Sequence, residues 1–319
     1  MRIVILDGYT VNPGDLSWEK FGSLGEVEVY DRTPADNVVE RSLHARAILT
    51  NKTPVTDEML AQLPDLAYIG VLATGYNVVD VAAARRRGIV VTNVPGYSTY
   101  SVAQHAIALL LELCLHIDLH SRAVHAGEWA RSPDWCFTKT PLHELFGKTI
   151  GIIGHGQIGQ QVGKIALALG MKVVCLNRSL AQRDSLYGET YADLPALLAQ
   201  SDVVSLHCPL TQDTAGIIQA STIRLMKPGA LLINTSRGPL VNEADLASAL
   251  SEDRLGGAAL DVLSTEPPPA DNPLLQAPNC IITPHMAWAT RDARDRLLQI
   301  AADNLRAFSQ SRSMNIVNF

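Results

Sequence analysis

The stretch that decides the fold is Thr149-Ile150-Gly151-Ile152-Ile153-Gly154-His155-Gly156-Gln157-Ile158-Gly159. A strand-length apolar run enters a Gly-x-Gly-x-x-Gly turn, and residues 160–169 then space their apolar side chains as a helix does. In this setting the glycines have three uses: a tight turn at Gly154, close approach of backbone amides to a pyrophosphate at Gly156, and close packing of helix on strand at Gly159. The helix N-terminus would face the anion. An ordinary glycine-rich βα turn is the competing reading. The order strand, turn, helix favours dinucleotide binding.

Outward from this motif the pattern repeats. Apolar runs of strand length lie at 149–153, 173–176, 203–206, 230–233, 258–262 and 280–282, separated by helical segments. Upstream, runs at 3–6, 27–30, 47–49, 68–72 and 89–91 alternate with helical patterns such as 56–63 and 79–87. Runs that are apolar at consecutive positions are buried on both faces, which means parallel sheets covered by helices. The fold class is therefore α/β, with two doubly wound parallel-sheet domains. A chain of 319 residues is long enough for two such cores. Between the two series a helix is expected from Ser101, with Gln104 completing a capping box, to about His125. A last amphipathic helix is expected over 290–308.

Composition narrows the partners. Hydrophobic residues make up 47% and charged residues 18%, so the chain folds. A formal charge of −6 provides no general basic field for nucleic acid or an anionic membrane surface. The one basic run, Arg85-Arg86-Arg87 before Gly88, reads as the solvated last turn of a helix. Residues 1–7 look like a strand that reaches Asp7 too early for the core of a signal peptide. The apolar stretch 106–115 contains Glu112 and is too short to span a bilayer. Cysteines 114, 136, 175, 208 and 280 show no Cys-x-x-Cys spacing, so no disulfide framework or zinc site is indicated and a reducing cytoplasm is expected. Glu112, His116 and His120 recur at i, i+4 and i+8, which reads as a solvated or interface face of a helix rather than a metal site. No metal is expected.

The candidate reacting groups follow strands of the second series. They are Arg237 in Asn234-Thr235-Ser236-Arg237-Gly238, Asp261, Glu266 before Pro267, and His285 in Thr283-Pro284-His285-Met286-Ala287-Trp288. In open α/β sheets ligands bind beyond the carboxyl ends of strands, so these four can converge despite their sequence separation. An arginine that clamps a carboxylate, a histidine that moves a proton and a carboxylate that orients the imidazole suit one chemistry: hydride transfer to a 2-oxoacid. The strand after the glycine turn normally ends in an acid that binds the adenosine ribose hydroxyls, and here Asn177-Arg178-Ser179 stands there. Without that acid nothing repels a 2′-phosphate, and Arg178 offers it a bidentate partner. NADP(H) is thus favoured over NAD(H), with dual use open.

Taken together, these residues resemble the D-isomer-specific 2-hydroxyacid dehydrogenases over essentially the whole chain. The resemblance rests on the glycine turn, His207-Cys208-Pro209-Leu210 with Thr214, Lys227-Pro228-Gly229, Thr235-Ser236-Arg237-Gly238, Asp261-Val262, Glu266-Pro267 and Pro284-His285. It implies that Arg237 binds the substrate carboxylate and carbonyl, and that Glu266 pairs with His285, the acid in reduction and base in oxidation. Gln157 and Ile158 would meet the pyrophosphate and Asn177 the ribose. His207, Cys208, Pro209, Thr214, Thr235, Ser236, Asp261 and Ala287 would line the rest of the cofactor site. The loop Ala73-Thr74-Gly75-Tyr76-Asn77 looks like the family's substrate-carboxylate loop, which places Thr74, Gly75 and Tyr76 at the substrate. The resemblance also implies a discontinuous flavodoxin-like substrate domain, 1–100 with 289–319, and an inserted Rossmann domain, 101–288.

The family often carries His-x-Gly-Gly after the reacting histidine, whereas this chain has His285-Met286-Ala287-Trp288. Ala287-Trp288, together with Thr74-Gly75-Tyr76-Asn77, is similar to the glycerate dehydrogenase or hydroxypyruvate reductase branch. Trp288 would wall the pocket against bulky side chains, so the expected substrate is a short polar acid, with hydroxypyruvate and D-glycerate leading and glyoxylate or another 2-oxoacid as alternatives. The same fold serves dinucleotide-sensing corepressors, a non-enzymatic alternative that the retention of Arg237, Glu266 and His285 disfavours. A homodimer is expected on the helix from Ser101 and the segment from Gly127 to Trp135.

Overall fold

A computed structural model describes residues 1–176 and 190–319. Contacts divide the chain into two units, Met1–Ser98 with Trp288–Phe319, and Thr99–Ala287.

In the first unit, strands β1 (Arg2–Ile5), β2 (Glu26–Val29), β3 (Ala47–Thr50), β4 (Tyr68–Val71) and β5 (Val90–Thr92) form a parallel sheet in the order β2-β1-β3-β4-β5. This is the flavodoxin-like order. Alternate strand residues supply two separate cores. Ile3, Ile5, Leu49 and Tyr68 pack with Leu297, Leu298 and Leu305 of the helix Arg291–Ser309, while Val4, Ile48, Ile69 and Val91 pack on the opposite face with Leu60, Ala83 and Ala84. Both faces are covered at β1, β3 and β4, which is why these strands read as unbroken apolar runs, whereas edge strand β2 alternates Glu26, Val27, Glu28 and Val29 and has no fully buried residue. Thr290 caps the C-terminal helix by accepting from the Ala293 amide. The basic run ends the helix Val81–Arg86, and Arg86 and Arg87 pair with Asp57.

The second unit carries β6 (Thr149–Ile153), β7 (Lys172–Leu176), β8 (Thr190–Ala192), β9 (Val203–Leu206), β10 (Ala230–Asn234), β11 (Leu255–Leu260) and β12 (Cys280–Ile282). All pairings are parallel and the order is β12-β11-β10-β9-β6-β7-β8. The winding reverses between β6 and β9, where such sheets open a crevice at their carboxyl ends. Edge strand β8 is absent from the runs read in the sequence, because Thr190-Tyr191-Ala192 is not the unbroken aliphatic run that the equally short edge strand β12 presents. β11 begins three residues earlier than its apolar run, through Gly256 and Gly257.

The expected helix from Ser101 to His125 is corrected. The chain forms two helices, Thr99–Leu115 and Ile117–His125, bent by 58°. Between them His116 adopts a left-handed conformation with φ 46°, which a helix cannot contain. Ser101 is buried inside the first helix and not at its cap. The Glu112-His116-His120 stripe is broken with it. His120 donates from Nδ1 to the His116 carbonyl, and its Nε2 accepts from the Lys139 amide, so both ring nitrogens are engaged. Among the described residues no group of three or more His, Cys, Asp or Glu is arranged to hold a metal ion. Among them, too, no single helix is long and apolar enough to cross a membrane.

Candidate active site

The glycine turn joins β6 to the helix Gln157–Ala168. Gly154 has φ 104°, and a Cβ there would lie 2.4 Å from the Cys208 amide nitrogen and 2.5 Å from the His207 carbonyl carbon. A Cβ on Gly159 would lie 2.1 Å from the Gly154 carbonyl oxygen. Both positions demand glycine because backbone meets backbone. Gly156 is different, since a Cβ there meets nothing within 4 Å. Gly156 is the N-cap of the helix and no side chain among the described residues caps it, so the first amides, Gln157 and Ile158 included, have no intrahelical acceptor. An open, uncapped N-terminus behind a glycine fits the pyrophosphate of a dinucleotide.

The next strand end, after β9, brings His207 and Cys208 against this turn. The His207 Nε2 lies 2.8 Å from Ser205 Oγ, and burial pushes its pKa down to about 4, so the ring is neutral near pH 7. Cys208 is buried and Pro209 exposed. The Thr214 hydroxyl donates to the Pro209 carbonyl at 2.7 Å and accepts from the Thr211 amide at 2.7 Å, which closes this loop on itself.

After β10, buried Asn234 accepts from the Ser236 amide and donates to the Arg237 carbonyl, while Ser236 Oγ donates to the Cys208 carbonyl at 2.7 Å. These bonds hold Arg237 exposed at the rim. Thr235 Oγ1 is buried without a hydrogen-bond partner among the described residues. A buried hydroxyl without a partner is costly, so this atom awaits a polar group from a ligand. With Gly156 open and the helix amides uncapped, the residues present fit a nicotinamide dinucleotide.

The reacting groups follow β11 and β12, which are neighbours. Glu266 Oε2 stands 2.6 Å from His285 Nδ1, and Glu266 Oε1 accepts from the Leu263 amide at 3.1 Å. Glu266 therefore fixes the imidazole through Nδ1. On Nε2 no described residue forms a hydrogen bond, so that nitrogen is the one available to a substrate. His285 itself is left-handed, with φ 51°. Asp261 stabilises that conformation. Its carboxylate is buried and accepts from the Met286 amide at 2.9 Å, the Ala287 amide at 2.8 Å and the Thr283 hydroxyl at 2.6 Å. Desolvation pushes the Asp261 pKa up, but the bonds from His105, Thr283, Ala287 and Met286 outweigh it and the net shift is down, so the group is ionised. Asp261 thus serves the turn of His285, and Ala287 is a buried part of that turn.

In the first unit, Thr74 Oγ1 donates to the Val94 carbonyl at 3.0 Å, and Asn93 donates to the Thr74 carbonyl at 2.8 Å. This anchors the loop after β4, with Thr74 and Tyr76 exposed and Gly75 half-buried. Trp288 is partly buried, edge-on to Tyr97 with ring centroids 6.3 Å apart. Asn177 and Arg178 lie outside the described residues. Sequence reasoning missed the roles of His105 and Thr283, whose contacts become visible only when distant segments are brought together, and that of Asn234, whose bonds to Ser236 and Arg237 form a local turn that an Asn at a strand end signals.

Residues 107–287 match the family model described as D-isomer specific 2-hydroxyacid dehydrogenase, NAD binding domain. The chain is 51% identical to a hydroxypyruvate reductase of Blautia hydrogenotrophica, covering 100% of both chains. It is 40% identical to a glycerate dehydrogenase of Methylorubrum extorquens, over 99% of this chain and 98% of that one. Among solved structures, an acyclic imino acid reductase (Bsp5) in complex with NADPH and D-Arg aligns with TM-score 0.86 and 33% identity, over 99% of this chain and 100% of that chain.

Proposed function

The chain belongs to the D-isomer specific 2-hydroxyacid dehydrogenase family, oxidoreductases that use a nicotinamide cofactor on CH–OH donors, and from that premise we propose that it reduces hydroxypyruvate to D-glycerate. The observation that carries the chemistry is the 2.6 Å contact of His285 Nδ1 with Glu266, which leaves Nε2 available. Reduced nicotinamide, when bound, supplies the hydride. Arg237 clamps the carboxylate of the 2-oxoacid and draws electron density toward its carbonyl oxygen. His285 gives the proton on Nε2 to that oxygen in reduction and recovers it in oxidation, while Glu266 holds the ring and stabilises the imidazolium. Thr74, Gly75 and Tyr76 are assigned to the substrate carboxylate through the backbone amides of their loop.

The 51% identity with a hydroxypyruvate reductase over the full chain supports the short polar substrate. So does an indole at Trp288, where the family often has a small residue. The cofactor domain is assigned to the second unit, with Gly154, Gly156, Gln157, Ile158, Gly159 and Thr235 at the dinucleotide. NADP(H) is favoured on the sequence Asn177-Arg178. Among the described residues the five cysteines form no disulfide, which accords with a reducing cytoplasm. We assign the active form to a homodimer through the second unit, where Ile117, Trp129, Trp135 and Phe146 are exposed. A mass near 34.5 kDa by light scattering would contradict that assembly.

The test of substrate is kcat/KM for hydroxypyruvate, glyoxylate, pyruvate and a branched 2-oxoacid, each with NADPH and NADH. Hydroxypyruvate is expected to lead. A branched acid that matches it removes the small-pocket argument, and glyoxylate in first place moves the assignment to a glyoxylate reductase.

A further inference from the structure

We propose that His105 is a positioning residue for His285, acting through Asp261 and Thr283 on the turn that holds the reacting imidazole. The proposal rests on the assignment of His285 as the proton donor.

The proton arrangement follows from the geometry. Thr283 Oγ1 donates its single hydrogen to Asp261 Oδ1 at 2.6 Å, so toward His105 it can only accept. His105 Nε2 lies 3.1 Å from Thr283 Oγ1 and 3.5 Å from Asp261 Oδ1. Both neighbours are acceptors, which requires the hydrogen on Nε2. That N–H faces the two oxygens on which the turn depends.

Downstream, the Asp261 carboxylate accepts the Met286 and Ala287 amides, and the Asp261 backbone carbonyl accepts the His285 amide at 2.9 Å. Three consecutive amides are thus fixed by one residue, and they include that of the left-handed His285. Such a conformation persists only where its surroundings over-determine it. His105 is the far support of this arrangement. Its own place is secured because the helix Thr99–Leu115 buries Ala106 and Leu110 in the same cluster as Ile233 of β10 and Ala259 of β11.

The test compares His105→Leu, which keeps bulk and removes the donor, with His105→Gln, which restores an N–H donor. In His105→Leu, kcat for 2-oxoacid reduction is expected to fall about 10- to 100-fold, the scale of a misplacement near 1 Å, while KM and cofactor affinity stay near parental. The primary isotope effect with deuterated cofactor should rise as chemistry becomes rate-limiting. The amides of Met286 and Ala287 should exchange with D₂O faster in His105→Leu, and His105→Gln should recover both readouts. Parental kcat and parental exchange in His105→Leu overturn the proposal. Equal losses in the two variants also overturn it, since packing rather than the donor would then be responsible. If the parent reduced no 2-oxoacid the functional reading would fail, and the exchange rates alone would still decide on His105.

Discussion

Gly238→Ala is the perturbation that tests whether Arg237 and Glu266 form one unit. Gly238 follows Arg237, and a Cβ added there would sit 1.9 Å from the carbonyl carbon of Leu263, 2.1 Å from its oxygen and 2.4 Å from the Ser264 nitrogen. All three are backbone atoms, so no side chain can swing aside. Real Cβ contacts do not fall below 3.0 Å, so the two segments must part by at least about 1.1 Å. The segment that yields is tied to Glu266 by the Leu263 amide and to Glu243 by the Ser264 amide, at 3.1 and 2.6 Å. Movement therefore separates Arg237 from the carboxylate that orients His285. A misplacement of about 1 Å costs on the order of 10² in rate, equivalent to about 2.7 kcal/mol. Overpacking should cost a further ~1–3 kcal/mol of stability. Steady-state kcat with hydroxypyruvate reads the first effect and thermal unfolding the second, with cofactor binding followed by NADPH fluorescence. A variant with parental kcat and parental unfolding temperature would refute the coupling of the two loops.

Three further outcomes are expected. His285→Ala should lose on the order of 10²–10⁴ in kcat while still binding cofactor; near-parental turnover would remove the role of Nε2. His207 titrates near 4 when folded and near 6.5 when unfolded, so the unfolded chain takes up the proton first as pH falls. Its contribution to stability is complete above 6.5 and fades toward 4, by up to about 3 kcal/mol, and urea unfolding near pH 7 and near pH 4.5 should show a smaller loss in His207→Gln than in the parent. An identical loss in both would assign the acid sensitivity elsewhere. Arg178→Ala should weaken NADPH far more than NADH in fluorescence titrations, and equal weakening would end the case for a 2′-phosphate contact.

The parts of this molecule that were legible in the sequence are those where local chemistry and position coincide. The glycines at 154, 156 and 159 follow a strand and precede a helix, and backbone contacts of 2.4 and 2.1 Å at the outer two explain why no other residue stands there. Both sheets were legible because every core strand is covered on two faces. The break at His116 was not, because one left-handed residue leaves the apolar spacing on either side intact. β8 escaped because Thr190-Tyr191-Ala192 lacks the apolar run that marks β12 at the same length. His105 was hidden for a different reason: it lies in an apolar helix, and its partner Thr283 is 178 residues away. Only the closing of the sheet brings β12 within reach of that helix.

The hydrogen-bond inventory also divides the residues that family resemblance treats alike. Asp261, Thr214 and Ser236, all read as cofactor neighbours, also bond within the protein: Asp261 to the His285 turn, Thr214 to the 209–214 loop and Ser236 to the Cys208 carbonyl. An asparagine at 261 has the shape but not the chemistry, because its amide group would turn hydrogens toward the backbone N–H of either Met286 or Ala287, donor against donor. The carboxylate is needed for the turn before any influence of its charge on the imidazole is considered. Thr235 Oγ1 differs: it is a buried hydroxyl with no partner among the described residues. Bonds within the protein hold the geometry of the site, and the groups without a partner among the described residues, Thr235 Oγ1, the first amides after Gly156 and His285 Nε2, mark where a ligand completes it.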